Sequence, residues 1–118
     1  MSPEPADKWE VQLRKGSLEL AILASLWSER LYGLEILRRL ETDSDLLVSE
    51  GTVYPLLSRL KSEGLLESEW VEAEAGHPRK YYRLTATGRR RASQMARFWS
   101  QFSARLDPLV APLQKVER

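Results

Sequence analysis

Hydrophobic residues recur with helical spacing in the segment SEGTVYPLLSRLKSEG, residues 49–64. Spacings of three, one and three residues place four side chains on one apolar stripe. They are Val53, Leu56, Leu57 and Leu60. Ser49 is the expected N-cap of this helix, and Gly64 is expected to end it. The pattern therefore predicts a short amphipathic helix, with Pro55 inside it.

Two helices are predicted before this one. Residues 17–29 carry two adjacent apolar lines, so they predict a heavily buried helix with Ser17 as its N-cap. Residues 32–42 predict a second helix with leucines on its inner face. Residues 1–8 contain two prolines and little apolar content, so they are expected to be disordered.

A β-hairpin is predicted after the third helix. Residues 65–72 alternate near their end and indicate a strand, residues 73–78 a turn, and RKYYRL at 79–84 the returning strand. We expect Trp70 and Tyr82 to contact the core. A two-stranded hairpin is too small to be stable alone and must pack on the helices.

A long helix with Thr85 as N-cap is predicted to follow. Its apolar residues repeat at alternating spacings of three and four, which is typical of a helix that packs against another helix. This apolar seam consists of Ala92, Met95, Trp99, Phe102, Leu106, Leu109 and Leu113. Asp107 and Pro108 resemble the start of a new helix, so a kink or restart is expected there.

Together these elements predict a mainly α fold with a small β hairpin. Three helices, a hairpin and a last helix make a winged helix-turn-helix with a long C-terminal dimerisation helix. The predicted divisions are a disordered segment at 1–8, a winged helix-turn-helix domain at 9–84, which is a fold that many DNA-binding proteins share, and the C-terminal helix at 85–118, whose apolar seam suits dimerisation.

Composition argues against catalysis and against a membrane location. The 118 residues include no cysteine and one histidine, His77, so common nucleophile–base pairs and metal-ligand clusters are nearly excluded. We therefore expect a non-enzyme without a metal or cofactor. The chain has no apolar run long enough to span a membrane and begins unlike a signal peptide, which favours the cytoplasm.

Charge is unevenly distributed although the formal net charge is only +1. The segment from His77 to Arg91 contains six basic residues and no acidic residue. One end of the predicted fold is therefore locally basic.

Four segments resemble the PadR-like transcriptional regulators. They are GTVYPLLSRLKSEGLL, GHPRKYYRLTATGRR, RKGSLELAIL and LYGLEILRRL, and the resemblance covers roughly residues 9–105. A generic winged helix would share the layout but not the Tyr-Pro pair in the third helix or the RKYYRLT strand. A single helix after the wing is similar to the short members of the family.

The resemblance implies a homodimeric repressor that binds double-stranded DNA at a pseudo-palindromic operator. The third helix would enter the major groove, and the wing would lie beside the DNA backbone. The candidate DNA-binding residues are Ser49, Thr52, Tyr54, Pro55, Arg59, His77, Pro78, Arg79 and Lys80, with Lys15 and Tyr32 as second-tier candidates. The alternative is that these residues are ordinary solvent-exposed surface on the third helix and at the tip of the hairpin, without a role in binding.

Pro55 allows two interpretations. If Ser49 is the N-cap, Pro55 lies in the second turn, and its missing N–H would have bonded near Gly51. If the helix instead starts near Thr52, Pro55 lies in the first turn, which tolerates proline. In the functional interpretation, a stiff helix N-terminus enters a DNA groove. Its outer face would consist of Thr52, Tyr54, Pro55 and Arg59.

The resemblance also implies a dimer built on the last helix, which would meet the first and last helices of the second subunit. The candidate dimerisation residues are Leu18, Ile22, Met95, Trp99, Phe102, Leu106 and Leu109. Some family members bind flat aromatic ligands between the subunits, which makes Trp99 and Phe102 candidates for a small aromatic or lipophilic effector. The alternative is that Trp99 is ordinary dimer core.

The sequence is also compatible with a protein-interaction function. A winged helix can serve protein interaction without specific DNA binding, and the near-neutral third helix is compatible with that role. The basic wing favours DNA.

Overall fold

Seven elements follow the predicted order, with one short strand added. The computed structural model describes residues 4–43, 49–72 and 76–115. The elements are α1 (Glu4–Ser25), β1 (Leu31–Tyr32), α2 (Gly33–Asp43), α3 (Glu50–Ser62), β2 (Leu66–Val71), β3 (Arg79–Leu84) and α4 (Ala86–Gln114). The fold is mainly helical with a small antiparallel sheet, which confirms the predicted winged helix-turn-helix.

The predicted hairpin is present as β2 and β3, and β1 adds a third strand that was not predicted, in the order β1-β3-β2. β1 pairs through Leu31 with Tyr82, and β2 pairs through Leu66 with Leu84. All four of these side chains are buried, because they share the face that packs on the helices. Because β1 directly precedes α2, its pairing with β3 connects the β2–β3 hairpin to the start of α2.

One hydrophobic core joins all the elements. α1 supplies its centre with Leu18, Ile22 and Leu23, and Leu26 follows directly after the helix; all four are at most 2% exposed. The apolar stripe of α3 is equally buried at Val53, Leu57 and Leu60. These contacts fix the orientation of α3, and therefore which of its side chains face solvent.

The start of α1 differs from the prediction. The helix begins at Glu4, so residues 4–8 are helical rather than disordered, whereas residues 1–3 lie outside the described part of the chain. Ser17 is not an N-cap: its hydroxyl donates to the Leu13 carbonyl at 3.0 Å, inside the helix. A proline at position 5 is compatible with a first turn. The helix also ends at Ser25, before the predicted residue 29.

The ends of α3 lie where the sequence places them. Ser49 has extended backbone angles, and its carbonyl accepts from the N–H groups of Thr52 and Val53 at 3.0 Å. Its hydroxyl makes no capping bond to the backbone. At the other end Gly64 adopts φ 81°, which a glycine tolerates, and Leu65 N–H donates to the Leu60 carbonyl. The start at Glu50 puts Pro55 in the second turn, so the alternative start near Thr52 is wrong.

The helix α4 begins as predicted and continues further. The Thr85 hydroxyl oxygen accepts from the Gly88 N–H at 2.9 Å, which confirms the N-cap. The helix does not restart at Pro108: one helix runs through Pro108 and Pro112 to Gln114, so the predicted restart is wrong. Both prolines are exposed, and the carbonyls left without a helical partner lie in the solvent-exposed part of the helix.

Candidate nucleic-acid interface

The solvent-facing side of α3 is the face that the sequence predicts. Thr52, Tyr54, Pro55 and Arg59 are all exposed, while the opposite stripe is buried. An exposed helix face of this kind, presented by a rigid core, is what a helix-turn-helix protein offers to a DNA groove.

Tyr54 lies against the first residue of α2. A Cβ atom built on Gly33 would be 2.4 Å from Tyr54 Cε1 and 2.9 Å from its hydroxyl oxygen. Only a glycine therefore permits this position of the ring. Burial raises the pKa of Tyr54, and the charge of Glu50 raises it further, so the phenol is a neutral hydrogen-bonding group at physiological pH.

Arg59 is engaged within the chain. Its guanidinium donates to Glu63 at 2.7 Å and to Glu19 of α1 at 3.1 Å, and these hydrogen bonds, the one to Glu63 first, raise the pKa of Arg59. Both ion pairs are exposed, so each stabilises the fold only weakly. The structure thus places this candidate DNA contact at the C-terminal end of α3, bridged to α1.

Lys15 lies beside the N-terminus of α3. It lines a surface pocket of about 430 Å³ together with Ser49 and Thr52. Arg14 and Glu41 line the same pocket. The structure therefore brings three of the sequence-predicted residues together, although they come from two distant parts of the chain.

The wing, defined here as β2, β3 and the turn between them, joins β1 through stacked aromatic and basic side chains. The Arg79 guanidinium lies 4.4 Å from the centre of the Tyr32 ring, and Tyr32 contacts Tyr81 edge to face at 5.5 Å. The Arg30 guanidinium covers the Tyr81 ring at 4.6 Å. These contacts hold Tyr32 and the wing together. His77 and Pro78 are exposed, and the turn residues 73–75 lie outside the described residues.

Trp70 is not a core residue, contrary to the prediction. Its side chain is 67% exposed on β2, opposite Lys80. No helix in the described part of the chain covers this indole, whereas Tyr82 is buried as expected.

A shallow pocket of about 380 Å³ connects the wing to α3. It brings Tyr54 of α3 next to Arg79 and Lys80 of the wing, together with Tyr32. Four candidate DNA-binding residues from separate segments of the sequence therefore form one surface. We call this surface the wing–α3 pocket; its remaining lining is Gly33, Leu34, Trp70 and Tyr82.

The candidate dimer residues separate into two groups. Leu18 and Ile22 are buried in the core of this chain, so the prediction that they contact a second subunit is wrong. Trp99, Phe102, Leu106 and Leu109 are exposed, and Met95 is partly buried against the core. Sequence spacing alone could not distinguish the covered from the uncovered apolar residues.

A groove of about 610 Å³ lies between α1 and α4. Trp99, Phe102 and Met95 line it together with Phe98, and the Phe98 and Phe102 rings stack at 5.7 Å. Its polar lining includes Arg91. Phe98 was missed at the sequence level because it lies outside the repeat of three and four residues.

The three consecutive arginines at the start of α4 have different surroundings. Arg89 donates to the Trp27 carbonyl at 3.1 Å, and its guanidinium lies 4.2 Å from the Trp27 ring centre. Arg91 faces the groove between α1 and α4. Arg89 is therefore part of the intramolecular packing.

Neither a metal site nor a membrane span was found in the described parts of the chain. No group of three or more His, Cys, Asp or Glu side chains comes together there. None of the helices searched is both long enough and apolar enough to cross a bilayer. An exposed helix face beside a wing with basic residues is the architecture of a winged helix-turn-helix DNA-binding domain.

Comparison with known proteins gives the family. Residues 22–94 match the model of the Transcriptional regulator PadR-like family. A PadR-like transcription factor from Bacteroides fragilis is 39% identical, with 86% of this chain and 98% of that chain covered and a TM-score of 0.70. A PadR-like transcriptional regulator from Bacillus cereus is 34% identical over 84% and 96% of the two chains, with a TM-score of 0.77. A PadR family transcriptional regulator from Eggerthella lenta is 32% identical over 91% of this chain and 93% of that chain, with a TM-score of 0.80.

The chain belongs to the PadR-like family of transcriptional regulators. It is a DNA-binding transcription regulator, and members of this family are regulators rather than enzymes.

Proposed function

We propose that the protein is a homodimeric, sequence-specific repressor that acts in the cytoplasm on a pseudo-palindromic double-stranded operator. The observation that carries the proposal is the wing–α3 pocket, where Tyr54 of α3 lies beside Arg79 and Lys80 of the wing. One side of the molecule thus offers both a helix for the major groove and cations for the adjacent backbone.

The proposed DNA contacts fall into two groups, those of α3 in the groove and those of basic side chains with phosphates. Thr52, Tyr54 and Pro55, at the N-terminal half of α3, would enter the groove and contact base edges or phosphates. Arg79, Lys80 and Lys15 would bind phosphates, which give affinity and register. Other proposed contacts near the backbone are Ser49, Tyr32, His77 and Pro78. Arg59 would contact DNA only by exchanging its exposed carboxylate partners for phosphate.

The proposed dimer rests on the exposed part of the apolar seam. Trp99, Phe102, Leu106 and Leu109 are exposed along one helix, and a continuous apolar face of this kind is a liability in a monomer. A second α4 would cover it. A two-fold dimer would also place two copies of α3 at successive major grooves, as a pseudo-palindromic site requires.

The proposed effector site is the groove between α1 and α4. Its volume lies in the range of small-molecule pockets, and Trp99 and Phe102 offer flat rings for an aromatic or lipophilic ligand. Because the groove adjoins the seam, ligand binding there would change how the two subunits meet and so release the operator. A screen of aromatic compounds for a rise in the melting temperature of the protein checks this. A compound that raises the melting temperature and also releases the DNA should no longer raise it in the Trp99→Ala variant.

The first experiment for the DNA-binding proposal is fluorescence anisotropy. A labelled duplex selected from a random-sequence pool would be titrated beside a scrambled duplex at several salt concentrations. Nanomolar, selective and salt-dependent binding is expected. Arg79→Ala combined with Lys80→Ala should weaken binding and lower the salt slope by about one to two units.

A matched control removes the same two charges elsewhere. Arg105→Ala combined with Lys115→Ala changes two exposed positions, one on α4 and one at its C-cap, and should leave the salt slope unchanged. An unchanged slope in the wing variant would remove the wing from the interface. Weak and equal binding of both duplexes would instead favour a winged-helix protein-interaction module.

A further inference from the structure

Trp70, which is exposed, and Lys80, which is half-buried, form a pair near the end of the wing. They are directly opposite each other in the β2–β3 ladder, and Lys80 Nζ lies 5.8 Å from the centre of the Trp70 ring. Directly opposed residues in an antiparallel pair point to the same side of the sheet. An indole that is 67% exposed in this position makes no contribution to the core, so its presence calls for another partner.

The pair lies on the side of the sheet that faces the helices. Along this side the ladder runs from Leu66 and Leu84, which are buried, to Ser68 and Tyr82, and then to Trp70 and Lys80. Cover by the helices thus ends between the second and third pairs. The open end of this face lies next to the exposed side of α3, because Trp70 and Tyr54 line the same wing–α3 pocket.

The charge of the wing–α3 pocket is of one sign. Among the described residues that line it, Arg79 and Lys80 are cationic and none is acidic. Lys80 Nζ also lies 5.9 Å from the Tyr82 ring, so its ammonium is held between two aromatic rings. A flat apolar ring beside an oriented cation fits a ligand that alternates apolar and anionic groups, and a sugar–phosphate strand alternates in this way.

We propose that the wing–α3 pocket binds one strand of the operator backbone, with Trp70 packing on a deoxyribose and Lys80 contacting the adjacent phosphate. This inference rests on the proposed DNA binding and deepens it: it assigns Trp70 to the interface. The pocket then acts as the link between the groove-reading helix and the wing, and it fixes the register of α3 on the duplex.

The experiment follows Trp70 directly. In a variant with Trp9→Phe, Trp27→Phe and Trp99→Phe, Trp70 is the only indole. Its acrylamide quenching would be measured with and without saturating selected duplex, while anisotropy of the labelled DNA reports binding independently. We expect the quenching constant of Trp70 to fall at least twofold when DNA binds, because an exposed indole becomes covered.

Substitutions test whether the contact contributes to affinity. Trp70→Ala should weaken binding about tenfold, the scale of aromatic contacts to nucleic acid, without moving the urea unfolding midpoint. Trp70→Phe should recover part of the loss. The matched control is Trp9→Ala, because Trp9 is a similarly exposed indole, at 61%, on α1. That variant should bind DNA like the parent.

The two proposals fail in different ways. DNA binding with unchanged Trp70 quenching, or with unchanged affinity of Trp70→Ala, would overturn the assignment of Trp70 and leave the repressor proposal standing. Absence of selective DNA binding by the parent protein would overturn both.

Discussion

The two halves of α4 carry the same repeat of apolar residues and have opposite surroundings. In the first half, residues 86–95, Gly88 and Ala92 are buried and Met95 packs against the core. In the second half, residues 98–114, the large apolar side chains stay exposed. They are Phe98, Trp99, Phe102, Leu106, Leu109 and Leu113.

Residue size explains the difference between the halves. Small residues let the first half approach the domain closely: a Cβ atom on Gly88 would be 2.0 Å from the Leu65 carbonyl oxygen. The side chains of the second half are larger, and in the described part of the chain they stay exposed even where they line the groove with α1. The repeat therefore predicts a helix with one apolar face, and the size of the residues indicates where that face is covered.

The largest expected effect is on the first half. Gly88→Ala would force the backbone of α4 away from Leu65 and should lower the free energy of unfolding by about 3 kcal/mol, the upper part of the range for overpacking. Urea denaturation measures this loss.

The control for that prediction is another helical glycine. Apart from the backbone of α1 itself and the neighbouring residues, no described atom lies within 4 Å of a Cβ atom built on Gly16, so Gly16→Ala should stabilise α1 by about 0.5–1 kcal/mol through helix propensity. Equal stability of the two variants would mean that α4 does not approach Leu65 as closely as described.

The next effect concerns the second half and the association of subunits. Phe102→Glu places a charge on the exposed apolar seam and should weaken dimerisation at least about 100-fold, as expected for a buried unpaired charge at an interface. Sedimentation velocity over a concentration series measures the change.

A charge on the opposite side of the same helix is the control. Ala104→Glu introduces the same carboxylate at an exposed position away from the seam and should leave the dimer intact. Both variants should keep the circular dichroism spectrum of the parent. A Phe102→Glu protein that sediments as a dimer would place the subunit contact elsewhere.

The smallest effect is at the N-terminus of α4. Thr85 accepts from Gly88 N–H and donates to the Gly64 carbonyl, so Thr85→Ala removes a cap and a link to the end of α3. We expect a loss of about 1–2 kcal/mol in unfolding free energy. Thr85→Ser keeps the hydroxyl and should retain most of the stability; a loss as large as that of the alanine variant would argue against the hydrogen bonds.

Much of the fold follows from local patterns. The bounds of α3, the strand β3 and the Thr85 cap are confirmed because short-range spacing and capping chemistry determine them. β1 was not predicted, since two residues cannot show an alternating pattern and the strand exists only through its pairing with Tyr81 and Tyr82. The early start of α1 was missed because residues 8–13, the first of its side chains that the structure describes, are exposed and show no buried apolar stripe.

The candidate site was predicted in its parts rather than its arrangement. The exposed face of α3 and the basic wing strand were both identified, but Trp70 was assigned to the core and Leu18 and Ile22 to the dimer. Each of these errors concerns which apolar residue is covered, and this depends on where distant elements end. The ion pairs of Arg59 involve Glu19, 40 residues away, and no local pattern indicates them.

The central claim is that the exposed half of α4 joins two chains whose α3 helices and wings bind one operator. The most direct test is the molar mass of the complex with a selected duplex, measured by size-exclusion chromatography with light scattering. Two chains of 13.6 kDa are expected on each duplex, and a dimer of the same two chains without DNA. A complex with a single chain per duplex, or a monomer throughout, would contradict it.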